Sequence, residues 1–511
     1  MQSVSTVSNL RPNALRILHS GHNCWRIDQA TSAAVLTNGH YFKALATSLC
    51  QARHRVMILG WDLDARIVLD PDASSPANLP LHGFLRALVE RRPGLEIQLL
   101  VWNRTIFYGG NHKSRLLEPR QEWQTEGTDS RSIELRYHSS PIGSSHHHKL
   151  VVIDDSVAYI GGIDLSGNRW DHGEHPVFHP RRVTPEGERY GPIHDVQMLV
   201  EGPVAAALGE LARDHWHRSG GRPLAACPRI SHSVWPREVA RDFNDVPIGI
   251  SRTDPGHPVR PVREAEALYL DAFATARQSI YIEAQYLTAS AIREAIIRSL
   301  AQRQGPEILV IVTRTSRGFL EHLAMGSNRD RLLRRLQAAD RWQRLRVYYP
   351  MVEDVEIKIH AKVTVIDDVL LRIGSSNLNN RSMGADTEFD AALEGADEAS
   401  RTQIAATRDW LLAELLHCSP AEVGAAVTRS GSLFATIDEL NVERRLRLLE
   451  SRFQPGPVTS MTGTAVLDPK QPITTAYLWR KFVSSCWRPL IQSLSSVPAK
   501  SALPRTNGTK K

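Results

Sequence analysis

The 511-residue sequence predicts an α/β protein made of two similar halves, followed by a helical extension. Three observations predict it. Strand-sized apolar runs alternate with helix-like stretches along most of the chain, the pattern of α/β architecture. One short pattern of histidine, lysine and aspartate occurs twice. The segments around each copy also match, so the expected architecture is two α/β sandwich halves related by pseudo-two-fold symmetry, with whatever they share at the interface.

The matching segments run in the same order in both halves. Residues 52–61, a helix end leading into a strand, correspond to residues 276–283. A second strand follows a helical stretch, 95–102 against 307–313, and a third, 135–137 against 345–347, leads into each repeated pattern. Beyond the patterns, 195–202 corresponds to 388–395. These correspondences place the first half at 10–221 and the second at 246–418, joined by a Gly-, Pro- and Ser-rich linker at 222–245. A helical and basic extension is expected over 419–495, and a disordered tail over 496–511.

Composition sets outer bounds. Apolar content of 42% and charged content of 23% describe an ordinary globular chain. Its apolar runs are strand-sized, too short to cross a bilayer. The polar first thirty residues do not read as a cleavable secretion signal. The expected location is therefore the cytoplasm with peripheral membrane contact, leaderless export being the alternative. Five scattered cysteines without C-x-x-C spacing argue against a disulfide scaffold or a zinc site. A net charge of +7 favours an anionic partner, a phospholipid surface or nucleic acid.

The repeated pattern carries the chemistry. His147, Lys149 and Asp154 form an H-x-K-x-x-x-x-D run, and His360, Lys362 and Asp367 form another. Gly161 and Gly374 each lie fourteen residues after their histidine, and Asp164 and Asn377 each lie seventeen after it. On a strand, residues two apart share a face, so each histidine points the same way as its lysine. The six residues of the two runs make up the expected catalytic set. Within it Asp154 and Asp367 sit at tight turns, where anchoring backbone amides suits them better than chemistry.

A neutral imidazole can attack phosphorus to give a phosphohistidine, while the opposite imidazolium protonates the leaving oxygen. Two ammonium groups supply the positive charge that magnesium provides in many phosphoryl-transfer sites, so neither metal nor cofactor is expected. Each histidine needs an acid at its other nitrogen, and repeat alignment nominates Asp195 for His147 and Glu388 for His360. Asn377 can donate to a phosphate oxygen, whereas an ionised Asp164 cannot and would instead hold Lys149 or a substrate hydroxyl. His146 and His148 read as loop or packing residues, because no second ligand cluster accompanies the triplet. His172, His175, His179, Arg181 and Arg182 lie in a loop inserted in the first half, read as polar surface with substrate selection as the alternative. Trp61, Gln285 and Tyr286 are expected to shape the core beside the site. A basic aromatic stretch at 477–488 reads either as an interfacial membrane helix or as a helix packed on the body.

These residues resemble the phospholipase D superfamily. The run from His360 to Asp367, with Gly374, Ser375, Asn377 and Ser382, is similar to that family's second motif, and Gly161-Gly162-Ile163-Asp164 is similar to a form of the first. Flanking stretches extend the resemblance from about residue 35 to 415. The resemblance implies a bilobed α/β fold, His147 as nucleophile and His360 as general acid and base, with Ser375, Asn377, Glu388 and Asp195 in support. It also implies a phospholipid substrate at a membrane surface and water or an alcohol as acceptor. A cardiolipin synthase-like transferase is the nearest alternative and a nuclease a weaker one. One chain suffices for one site, and the oligomeric state is open.

Overall fold

The structure is a computed structural model; it describes residues 17–103, 132–314, 327–450 and 468–472, with the side chains of 327 and 328 outside the description. The expected disordered tail and the basic aromatic stretch at 477–488 lie outside the described residues.

The first half contributes β1 (Arg26–Thr37), β2 (Arg55–Gly60), β3 (Glu96–Trp102), β4 (Ile133–His138), β5 (Leu150–Ile153), β6 (Val157–Gly161), β7 (Ile193–His194) and β8 (Val196–Glu201). The second contributes β9 (Phe243–Asp254), β10 (Val262–Arg263), β11 (Ser279–Ala284), β12 (Glu307–Val312), β13 (Leu345–Val352), β14 (Val355–Glu356), β15 (Lys358–Ile359), β16 (Lys362–Ile366), β17 (Leu370–Gly374), β18 (Glu388–Glu394) and β19 (Leu446–Leu448). Helices α1 (Asn38–Gln51), α2 (Leu81–Arg91) and α3 (Pro203–Arg218) belong to the first half. In the second lie α4 (Glu264–Thr275), α5 (Ser290–Ala301), α6 (Ser327–Ala339), α7 (Asn380–Gly384) and α8 (Glu398–Leu416), followed by α9 (Pro420–Ser430) and α10 (Leu433–Leu440).

Strand order repeats. In the first half the neighbours run β4-β3-β2-β5-β6-β8-β1, with β2, β3 and β4 parallel and the later pairs antiparallel. In the second they run β13-β12-β11-β16-β17-β18-β9, with the same orientations. Antiparallel pairing of β1 with β9 joins the two sets edge to edge, and β19 extends the second at β13. Both patterns come from the same sequence feature, a parallel crossover pair followed by an Asp-Asp hairpin turn.

Alternation along the strands divides the apolar residues among three cores. The central core takes one face of each set, with Leu150, Val152, Val363 and Val365 meeting α3, α8 and α10. The outer face of the first set packs on α1 and α2, and that of the second on α4, α5 and α6. Two segments depart from the simple division into halves. Ile17, Leu18 and Cys24 pack in the second outer core, where Glu394 accepts hydrogen bonds from the Ile17 and Leu18 amides. The Gly- and Pro-rich connection buries Val234 and Trp235 in the first outer core, and β9 begins at Phe243, inside the expected linker.

Asp154 and Asp367 show how each turn is fixed. Asp154 accepts from the amides of Arg53, His54 and Arg55 at 2.7–2.8 Å. Asp367 does the same for Arg277, Gln278 and Ser279 at 2.6–2.8 Å. Both residues have positive φ, 54° and 49°, a conformation aspartate tolerates better than most side chains. This corrects their place in the catalytic set: they clamp the start of β2 and β11 and touch no reacting group.

Candidate active site

The site lies where the two halves exchange backbone hydrogen bonds. The His147 amide donates to Thr387 O (2.8 Å), and the Thr387 amide donates to Ser145 O (2.8 Å). On the other side β15 pairs in parallel with β7, and the His360 amide donates to His194 O (2.8 Å). Each histidine therefore arrives beside the strand that carries the other half's acid.

The acids are accordingly exchanged. His147 Nδ1 lies 3.0 Å from Glu388 Oε2, and His360 Nδ1 lies 2.5 Å from Asp195 Oδ2. This corrects the pairing drawn from repeat alignment. Alignment identifies which residues are equivalent, but it cannot tell whether equivalents meet within a half or across the joint. With Nδ1 bound to an acid, Nε2 of each ring is the atom left for chemistry.

Each acid is buried and held. Glu388 accepts from Ser375 Oγ (2.6 Å) and Ser382 Oγ (2.5 Å). Burial pushes its carboxyl well above the usual range, helped by neighbouring Asp386, while the two hydroxyls pull it back. Asp195 Oδ1 accepts from the Val196 amide at 2.9 Å, and burial raises its carboxyl too. Gly162 is required here: a Cβ would collide with the Asp195 carboxylate. The equivalent position in the second half is Ser375, whose hydroxyl bonds the longer Glu388.

Burial, then the two lysines, hold His147 well below the ordinary imidazole value. His360 is lowered the same way, by burial first and Lys362 next. Charge from both Lys149 and Lys362 thus reaches both imidazoles. Lys149 Nζ donates to His147 O (2.7 Å) and sits 3.1 Å from Asp164 Oδ2. Burial pushes Asp164 up, but Lys149 and Arg169 outweigh it and hold the carboxyl below its usual range. The other Asp164 oxygen accepts from the Trp61 and Asp62 amides. Lys362 Nζ donates to His360 O and, at 3.2 Å, to Gln285 Oε1. Burial lowers it to about 7.

Trp61 stands edge-on to His147, with ring centroids 6.5 Å apart, and stacks on Trp102. Asn377 is buried with its Oδ1 unpartnered. The inserted loop is only partly surface: His175 and Arg182 are buried around Asp171, whereas His172 is exposed. His175 Nε2 meets His194 Nδ1 at 3.3 Å, and His194 Nε2 meets Glu283 at 2.9 Å, so the loop is tied to the segment supporting His360.

Two features escaped the sequence reading. Arg169 acts electrostatically on Asp164, Asp195, His360 and Lys362, yet among the described residues it has no carboxylate within ion-pair distance, and its Nε is unpartnered. Its place five residues after Asp164 was the available signal. The histidine triplet, read as lacking further ligands, is joined by His138 and His215.

A family model described as "Phospholipase D" matches residues 48–244, and one described as "Cardiolipin synthase, PLD-like domain" matches 269–410. The chain belongs to the phospholipase D superfamily. Phospholipase D alpha 1 of Carica papaya is 22% identical over 68% of this chain and 59% of its own length. Phospholipase D alpha 1 of Arabidopsis thaliana is 22% identical with the same coverage. The chain thus spans about 59% of the length of these curated relatives. The fold is similar to phosphatidylserine synthase of Haemophilus influenzae Rd KW20, with a TM-score of 0.53 at 13% identity, over 81% of this chain and 97% of that one. Among the described residues, no helix is long and apolar enough to cross a membrane.

Proposed function

We propose that the protein is a phospholipase D-type phosphodiesterase and phosphatidyltransferase, acting on phospholipid head groups at a membrane surface with which it associates peripherally. The observation that carries this reading is the exchanged pair of histidine–acid contacts, with charge from both lysines reaching both rings. His147 Nε2 attacks phosphorus; a P–N bond forms, the P–O bond to the head group breaks, and His360, protonated once the anionic phosphate offsets the surrounding lysine charge, gives its proton to the leaving oxygen. Water or an alcohol then attacks, His360 takes the proton, and the P–N bond breaks to release phosphatidic acid or a transferred phosphatidyl product. His147 is assigned as nucleophile from the family resemblance and because its side chain is the more accessible, 16% against 7% for His360.

Glu388 and Asp195 orient the two rings, the lysines and Asn377 hold the phosphate oxygens, and Arg169 adds a further cation at the mouth. Arg169 also lines a cleft with Phe42, Trp170, Arg181 and Tyr190, whose mixed aromatic and basic walls suit an amphipathic substrate. Matching of residues 269–410 to a cardiolipin synthase-type domain favours transfer as a second reading, with a phosphatidyl acceptor alcohol.

Labelled phosphatidylcholine, phosphatidylglycerol and single-stranded DNA, each with EDTA and with or without ethanol, test the proposal. Phosphatidylethanol is expected from the lipid arms. Cleavage of DNA alone overturns the lipid assignment.

A further inference from the structure

Four buried histidines crowd one side of the candidate site without a part in its chemistry: His138 at the end of β4, His146 and His148 on either side of His147, and His215 in α3. His138, His146 and His215 are 7%, 4% and 1% exposed, and one ring nitrogen of each lies within 4.8 Å of the others. A neutral imidazole carries one N–H and one lone pair, and buried polar atoms ordinarily find partners for both. Here the Nδ1 atoms of all four are unpartnered. An orphaned buried polar group is costly, so a cluster of them needs an occupant.

His146 is oriented as a metal-binding histidine is. Its Nε2 lies 3.2 Å from Ser139 O, a bond in which Nε2 donates and Nδ1 keeps a bare lone pair. The nearby cation, Arg218, is 3.5 Å from His215 Nε2, but it is neutralised by Asp254 through contacts of 2.6 and 3.2 Å. The second half has no such cluster: Pro350, Ile359 and Ala361 stand where His138, His146 and His148 stand in the first.

We propose that His138, His146 and His215 form a binding site for one divalent ion of the zinc class, which pins the loop carrying His147 to α3. An all-imidazole donor set suits such first-row ions and not the oxygen-seeking magnesium or calcium. Three histidines leave the fourth tetrahedral position to water or to His148, whose ring centroid is 5.3 Å from that of His215. The stacked His138–His146 rings, 3.7 Å apart, splay as the ion enters. The role is structural and separate from the phosphoryl chemistry.

The test uses full-length protein stripped with chelator, dialysed against zinc or cobalt, and read by elemental analysis, visible absorption and thermal unfolding. One zinc per chain, a tetrahedral cobalt spectrum and a zinc-dependent rise in Tm are expected, with EDTA lowering Tm but not the initial rate well below it. His215→Gln, or His138→Phe, which keeps an aromatic ring in the stack, should weaken zinc binding by more than the about 10–100-fold typical of losing a supporting contact. Should either variant fail to fold, the wild-type cobalt spectrum still decides. No stoichiometric zinc, an aquo-like cobalt spectrum, or an unchanged zinc response in the folded variants overturns the proposal.

Discussion

Lys149 and Lys362 occupy equivalent positions in the two halves but live in different electrostatic surroundings. Lys149 is ion-paired with Asp164. Lys362 meets neutral oxygens from His360 and Gln285, and the residue equivalent to Asp164 is Asn377. The acids differ too, Glu388 resting on two serine hydroxyls and Asp195 pressed against Gly162. The two halves thus share the histidine and lysine of each motif and differ in the groups around them. The first half pairs its ammonium with a carboxylate, and the second holds one close to losing its proton.

Removing a reacting group gives the largest expected effect. His147→Ala and His360→Ala should each lower kcat at least as much as the about 10²–10⁴-fold range for a lost general acid or base, and the double variant should be little worse than either. If either single variant keeps half the activity, the halves act separately. Glu388→Gln and Asp195→Asn should each cost about 10²-fold in kcat, because each leaves the ring of the opposite half without its acid. Circular dichroism and Tm separate this loss from unfolding.

A smaller effect tests the tuning. Lys362 at about 7 predicts that kcat/KM falls as pH rises above about 7, since the free enzyme loses the ammonium there. Asn377→Asp would place a carboxylate near Lys362, hold its proton and move that alkaline limb upward; an unmoved limb would assign it to another group. Arg169→Ala, removing a cation with no ion-pair partner among the described residues, should raise KM by about tenfold with little change in kcat.

Stability supplies the remaining comparison. Asp154→Ala and Asp367→Ala each remove three charge-assisted amide bonds, so both should destabilise the fold by at least about 2 kcal/mol and by similar amounts. Acid should unfold the protein through the first half. Unfolded histidines take up protons near about 6.5, whereas His138 and His146 resist until about 3 and 4. The unfolded state therefore binds more protons as pH falls below about 6, and stability is lost in that direction. Urea midpoints across pH 4–7 measure it, and His138→Phe should flatten the slope.

Much of the fold was legible because its signals are local and repeated. The strand parity of His147 with Lys149 follows from two-residue periodicity, and the Asp-Asp turns follow from what aspartate tolerates. The exchange of Glu388 and Asp195 was not legible, since equivalent residues look the same in cis and across a joint. Asp164 was readable as a lysine partner because an ionised carboxylate cannot donate. His138 and His215 could not be assigned, because only the packing of α3 against β4 brings them to His146.

The central claim, that one phosphorus atom is worked on from both halves, is tested most directly by trapping the intermediate. His360→Asn enzyme, mixed with labelled phospholipid, quenched and digested, should yield one phosphatidyl adduct per chain, on the peptide containing His147. Adducts on both motif peptides in wild-type enzyme, or full turnover by the His360→Asn variant, would contradict it.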